Sequence, residues 1–101
     1  MASIMDIIAK SLSALGHEAR LDIFRLLVEA GHPGLTVGQI AGHTALAAST
    51  LAHHLRSLVD AGLVVQEKQG REVSNRVNFA QMDNVIAFLT RNCCAGVAPK
   101  P

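Results

Sequence analysis

Two cysteines stand side by side at positions 93 and 94, in the stretch TRNCCAG, and they are the only thiols of the chain. Thiolates are soft, nucleophilic ligands, so a close pair most often binds metal or senses redox state. A disulfide between sequence neighbours is strained and makes a poor staple. The plain alternative is packing, because free cysteine is often a small buried hydrophobe and Cys93 continues the apolar spacing of Ile86 and Leu89. The remaining polar groups do not assemble a reaction centre. The eight carboxylates are scattered, and the five histidines, at 17, 32, 43, 53 and 54, fall in four different elements. That distribution predicts exposed or helix-start histidines rather than a zinc site. With no Cys-x-x-Cys and no Gly-rich phosphate loop, the chain does not read as an enzyme.

A second stretch, AASTLAHHLRS at 47–57, carries another kind of chemistry. Leu51, Leu55 and Leu58 must face a core, which turns Ala48, Ser49, Ala52, His53 and Arg56 outward and leaves Thr50 and His54 on the flanks. Between Ile40 and Val59 there is one full positive charge, Arg56, and no carboxylate. Small polar residues on an acid-free helix suit a phosphate surface and can approach base edges in a major groove. Further on, Lys68 and Arg71 flank Gly70 and could meet a minor groove or backbone, with Glu67 and Glu72 partly offsetting them.

The elements that must position these residues follow from periodicity and stop signals. A first helix spans about 3–15, with Ser3 and Asp6 as cap and Ile4, Ile8, Leu12 and Leu15 as its stripe. A second spans about 17–30, turns Ala19, Ile23, Leu26, Leu27 and Ala30 inward, and stops at Gly31. LTVGQIAG gives a short third helix, with Thr36 and Gln39 as capping box. The fourth runs over about 48–61 and closes at Gly62. A hairpin occupies about 63–79, and a last helix of about 81–94 carries Met82, Ile86, Leu89 and Cys93 on one face. The order α-α-α-α-β-β-α is mainly α with a β-hairpin wing, a winged helix-turn-helix.

At 101 residues this is one small domain over 1–95, with a flexible tail at 96–101. Three Phe and no Tyr or Trp leave an aliphatic core that is marginal for a monomer, so a homodimer is expected. The net charge of +1 gives no general pull toward nucleic acid or membrane, so the local distribution decides. No apolar run is long enough to span a bilayer and the N-terminus lacks an export pattern, which predicts a cytoplasmic protein without a membrane partner.

ALGHEARLDIFRLL, LTVGQIA, STLAHHLRSLVDAGLV and KQGREVSNRV together resemble the ArsR/SmtB family of bacterial metal- and stress-responsive repressors, over roughly residues 14–95. The resemblance implies a dimeric winged helix-turn-helix protein that sits on operator DNA and leaves it when an inducer binds. It implies that the fourth helix is the recognition helix and that the first and last helices form the dimer interface.

Sensory sites differ across that family. The segment LTVGQIAG lacks the Cys-x-Cys of one arsenic or cadmium/lead site type. The last helix has Asp83 but no histidine for a zinc or nickel site, and both cysteines lie near its end, unlike the separated pair of the persulfide sensors. Asn92, Cys93 and Cys94 are similar to the branch whose C-terminal Asn-Cys-Cys senses trivalent arsenic. The resemblance therefore implies trivalent arsenic or antimony as inducer, held by Cys93 and Cys94, with a redox or persulfide signal, or no ligand, as the alternative. Thiolates suit such soft centres. Adjacent mid-helix residues diverge by about 100°, whereas two at a fraying helix end can turn both sulfurs toward one ion, so binding is expected to distort or unwind the last helical turn. The tail AGVAPKP lacks the third cysteine of inorganic arsenite sites, so the third ligand is water, a small thiol, a partner residue or a carbon substituent, and a two-thiol site favours a methyl or aryl arsenical whose carbon fills that position.

Overall fold

Ser3 opens the first helix by a reciprocal cap. Its hydroxyl accepts the Asp6 N–H at 3.1 Å, and the Asp6 carboxylate accepts the Ser3 N–H at 3.2 Å. The computed structural model describes residues 1–100; of the expected tail, Pro101 lies outside the described residues. Helix α1 (Ile4–Leu15) is followed by α2 (Glu18–Ala30), the two-residue strand β1 (Leu35–Thr36) and α3 (Val37–Thr44). Then come α4 (Ala48–Asp60), β2 (Val64–Gln69), β3 (Glu72–Val77) and α5 (Phe79–Thr90). The expected order of helices and hairpin is present, with β1 added. Residues 96–100 form no helix or strand and are exposed.

The β1 strand escapes sequence reading because two residues show no period. Its partner holds it: Leu35 pairs with Asn75 and Thr36 with Ser74, giving the antiparallel order β1-β3-β2. Asn75 is fully buried, and its amide donates to the Leu35 carbonyl at 3.1 Å while its Oδ1 accepts from Gln66 Nε2 at 2.8 Å. Ser74 Oγ adds a 2.8 Å bond to the Pro33 carbonyl. Such satisfied buried polar groups fix one register where an apolar contact would allow slippage. At the hairpin tip only Gly70 of the two central residues has positive φ, 64°, as a type II′ turn requires.

The core lies where α2, α3, α4 and the sheet base meet. Ile23, Leu27, Ile40, Leu51, Leu55, Leu58 and Leu63 are fully buried there, each contributing about 2 kcal/mol of transfer free energy. Beside it, α1 and α5 bury Ile8 and Val85.

Two expectations about the outer helices change. Of the first stripe only Ile8 is fully buried; Ile4 and Leu12 are exposed. Of the last, Met82 touches the core, but Ile86 and Leu89 are 53% and 59% exposed and Val85 takes the inward position. The last helix also ends at Thr90, so Cys93 lies beyond its apolar face. The 3.6-residue period was visible, but periodicity cannot tell an inward face from one the chain leaves uncovered.

Gly34 sits at φ 68° against Asn75, where an added Cβ would be driven into the Asn75 carbonyl. Gly34→Ala is expected to cost about 3 kcal/mol through backbone strain and loss of the β1–β3 junction. Urea unfolding measures this; a midpoint equal to that of the wild type contradicts the tight approach.

Candidate nucleic-acid interface and thiol site

The turn between α3 and α4 is set by Ala45, left-handed at φ 58°, whose N–H bonds the Ala41 carbonyl at 3.0 Å. Leu46 then packs against the core and fixes the angle at which α4 leaves. Ala47 stands at the N-cap of α4 and makes no side-chain cap bond. Alanine is a poor N-cap, so the first-turn N–H groups of α4 carry no side-chain acceptor, while Ala48, Ser49 and Thr50 are exposed around them. Free amides at the positive end of a helix attract anions, phosphate included.

Leu51, Leu55 and Leu58 anchor α4, and Ala52, His53 and Arg56 are exposed as their spacing predicts. His54 departs from the expectation that it flanks the outward face and from the reading of the histidines as exposed. It is 7% exposed and turned toward α2, its ring 4.8 Å from that of His17 and 5.8 Å from that of His53. The signal was present in the sequence: 51, 54, 55 and 58 follow the i, i+3, i+4, i+7 rule for a buried face. A polar residue type concealed it. Burial, then the neighbouring His17, Arg20 and His53, hold His54 below the ordinary histidine pKa.

The wing carries Lys68 and Arg71 exposed about the tip. Glu67 is occupied by Arg76 at 3.1 Å, so one of the two nearby acids is partly neutralised. The antiparallel register places Lys68 opposite Val73 and Glu72 opposite Gln69. Arg56 and the wing cations are thus the positive side chains that the two elements offer to solvent.

Cys93 and Cys94 lie in a chain of reverse turns beyond α5. Cys93 N–H bonds the Thr90 carbonyl at 3.0 Å and Ala95 N–H bonds the Asn92 carbonyl at 3.1 Å. Asn92 and Cys94 both adopt left-handed backbone, φ 59° and 65°. Asparagine tolerates that region, whereas cysteine pays a steric cost there. Both thiols are exposed and their sulfurs touch at 2.9 Å. The hydrogen bond to Cys94 pushes the Cys93 thiol above its ordinary pKa. The helix expected to reach residue 94 thus stops at Thr90, and the turns after it already bring the two sulfurs together. Neither thiol is buried as a small hydrophobe in this chain. Beside them the Arg91 guanidinium lies 5.1 Å from the centre of the Phe88 ring. Among the described residues no three His, Cys, Asp or Glu side chains converge on a common metal position, so the pair offers two protein ligands within one chain. Among the same residues no helix is long and apolar enough to cross a membrane.

A helix-turn-helix domain family matches residues 15–67, which contain α2, α3 and α4. The Arsenical resistance operon repressor of Staphylococcus aureus is 35% identical over 78 residues, covering 77% of this chain and 72% of that protein. The HTH-type transcriptional regulator YgaV of Escherichia coli is 29% identical over 86 residues, 85% of each chain. An ArsR-like transcriptional regulator from a Rhodococcus species superposes with a TM-score of 0.75 at 28% identity, over 84% of this chain and 77% of that one. With the helix-turn-helix, the three-stranded wing and these relatives in agreement, the chain belongs to the ArsR family of winged helix-turn-helix transcriptional repressors.

Proposed function

We propose that this regulator binds operator DNA as a homodimer and is released when a trivalent arsenic or antimony species bridges Cys93 and Cys94. The observation that carries the reading is the pair of exposed thiols held 2.9 Å apart in turns directly after α5. Two thiolates bound to one soft centre through bonds of about 2.3 Å sit roughly 3.5 Å apart, so a small opening of the pair suffices. Oxidation fits less well, because adjacent Cα atoms about 3.8 Å apart fall short of ordinary disulfide spacing. Two protein sulfurs leave a third position on the metalloid, which a methyl or aryl group fills in an organoarsenical.

The same helix end supports a route from ligand to DNA. Ile4, Met5, Ile7 and Leu12 of α1 and Ile86 and Leu89 of α5 are all exposed large apolar residues. A second copy covering them would make these helices the subunit interface and place each cysteine pair beside it. A metalloid that draws the turn into a new shape then alters subunit geometry, and with it the spacing of two α4 helices that must meet half-sites about 34 Å apart. Release requires that the ligand prefer the DNA-incompatible arrangement by the full coupling free energy, about 1.4 kcal/mol for each tenfold loss of affinity. On DNA, α4 enters the major groove through Ala48, Ser49, Thr50, Ala52, His53 and Arg56, while Lys68 and Arg71 meet the backbone or minor groove.

Arsenite and methylarsenite are the test ligands, with operator affinity as the readout. At least one should weaken binding by about tenfold or more, the organic species at lower concentration. The Cys93→Ser/Cys94→Ser variant should bind DNA within about twofold of wild type and ignore both ligands. A normal response from that variant removes the thiol site, and a response only to oxidants or polysulfide favours a redox signal. Arg56→Gln and Lys68→Gln should each reduce the slope of log affinity against log salt by about 1 where the side chain meets a phosphate. Leu89→Glu should shift the sedimenting species from dimer to monomer; a monomeric wild type refutes the homodimer.

A further inference from the structure

We propose that His54 and His17 form a proton-sensitive latch that seats the recognition helix against α2, so that acidification releases DNA. The inference rests on α4 being the DNA-contacting helix and does not involve the cysteines. The Nδ1 atoms of both imidazoles sit where an added proton finds no acceptor. That of His54 is buried and has no hydrogen-bond partner among the described residues. That of His17 accepts the Ala19 N–H at 3.2 Å and so caps α2. A proton on His54 Nδ1 would place an N–H where nothing accepts it, and a proton on His17 Nδ1 would break the cap.

The surroundings sharpen the effect. The groups acting on His54 are His17 at the cap of α2, Arg20 of α2 and its own neighbour His53, none of them an acid. Arg20 is held near by its Nε bond to the Ala14 carbonyl, 2.7 Å. With the rings 4.8 Å apart, two protonated imidazoles would repel across the α2–α4 junction. Burial, the first cause, keeps His54 below its ordinary pKa, so the seated arrangement binds fewer protons than a loosened one. The latch is therefore intact above the ordinary histidine value of about 6.5 and weakens as pH falls below it.

The expected sign is opposite to simple electrostatics. His53 is exposed on the DNA-facing side of α4, and its protonation alone would strengthen attraction to phosphate. A net loss of affinity in acid has to come from inside the protein.

The experiment uses the full chain and a duplex that the wild type selects from a random pool at about pH 7.5, with affinity followed down to about pH 5.5 at constant salt. Wild type and Cys93→Ser/Cys94→Ser should both lose about tenfold or more, with far-ultraviolet circular dichroism unchanged. His54→Phe removes the buried proton site, and His17→Asn keeps a good cap without one; each should lose less than about threefold. His53→Gln should retain or steepen the wild-type loss. A flat wild-type profile, a wild-type slope in His54→Phe, or a profile flattened by His53→Gln overturns the latch while leaving DNA binding intact. No selected duplex at neutral pH overturns the DNA reading and the latch together. Should His54→Phe not fold, proton NMR of wild type decides: the His54 ring should titrate below the ordinary histidine value, and titration at or above it overturns the proposal.

Discussion

The recognition helix is held by one face only. Leu51, His54, Leu55 and Leu58 point into the protein, and every other feature of α4 follows from that commitment. A helix fixed along one stripe leaves its remaining surface free of core obligations, so Ser49, Ala52, His53 and Arg56 can be chosen for an external partner. The bare Ala47 N-cap fits the same division of labour. A stability-optimised sequence would place Ser, Thr or Asp there, as Thr36 is placed at the start of α3. A local rule broken at the start of α4 and kept one helix earlier is the pattern expected of a binding position under the proposed function.

The cysteine pair applies a comparable constraint at the other end of the molecule. In a continuing helix Cys93 and Cys94 would point apart. The helix instead stops at Thr90, and two left-handed residues bend the chain until the sulfurs meet. Some backbone strain is thus stored at Cys94, a non-glycine residue at φ 65°. Under the proposed function, a ligand spanning both sulfurs would engage a segment whose shape is already costly, next to an apolar helix face that the chain leaves uncovered.

Much of the architecture was legible because its signals are local. Ser3 and Thr36 announce their helices by capping boxes, Gly70 announces its turn, and the leucines of α4 mark their face. The misses share a cause in tertiary context. The two residues of β1 become a strand only because Asn75 and Ser74 grip them from forty positions away. Ile86 and Leu89 carry the right period, yet nothing in a single chain's pattern says whether the covering surface is its own core. His54 was misplaced because residue type outweighed register. At the thiol site the residues were legible and their geometry was not, since the end of α5 depends on turns that no periodicity encodes.

Asn75 has a mechanical consequence. Its side-chain amide donates to the Leu35 carbonyl, one residue before the cap of α3, and accepts from Gln66 of β2, so one buried group holds both. The β-ribbon and the start of α3 are thereby tied through a single side chain. Under the proposed function, a distorted duplex would be met by the ribbon and the adjoining helices together. In the proposed homodimer, that coupling would pass much of the adjustment to the angle between subunits.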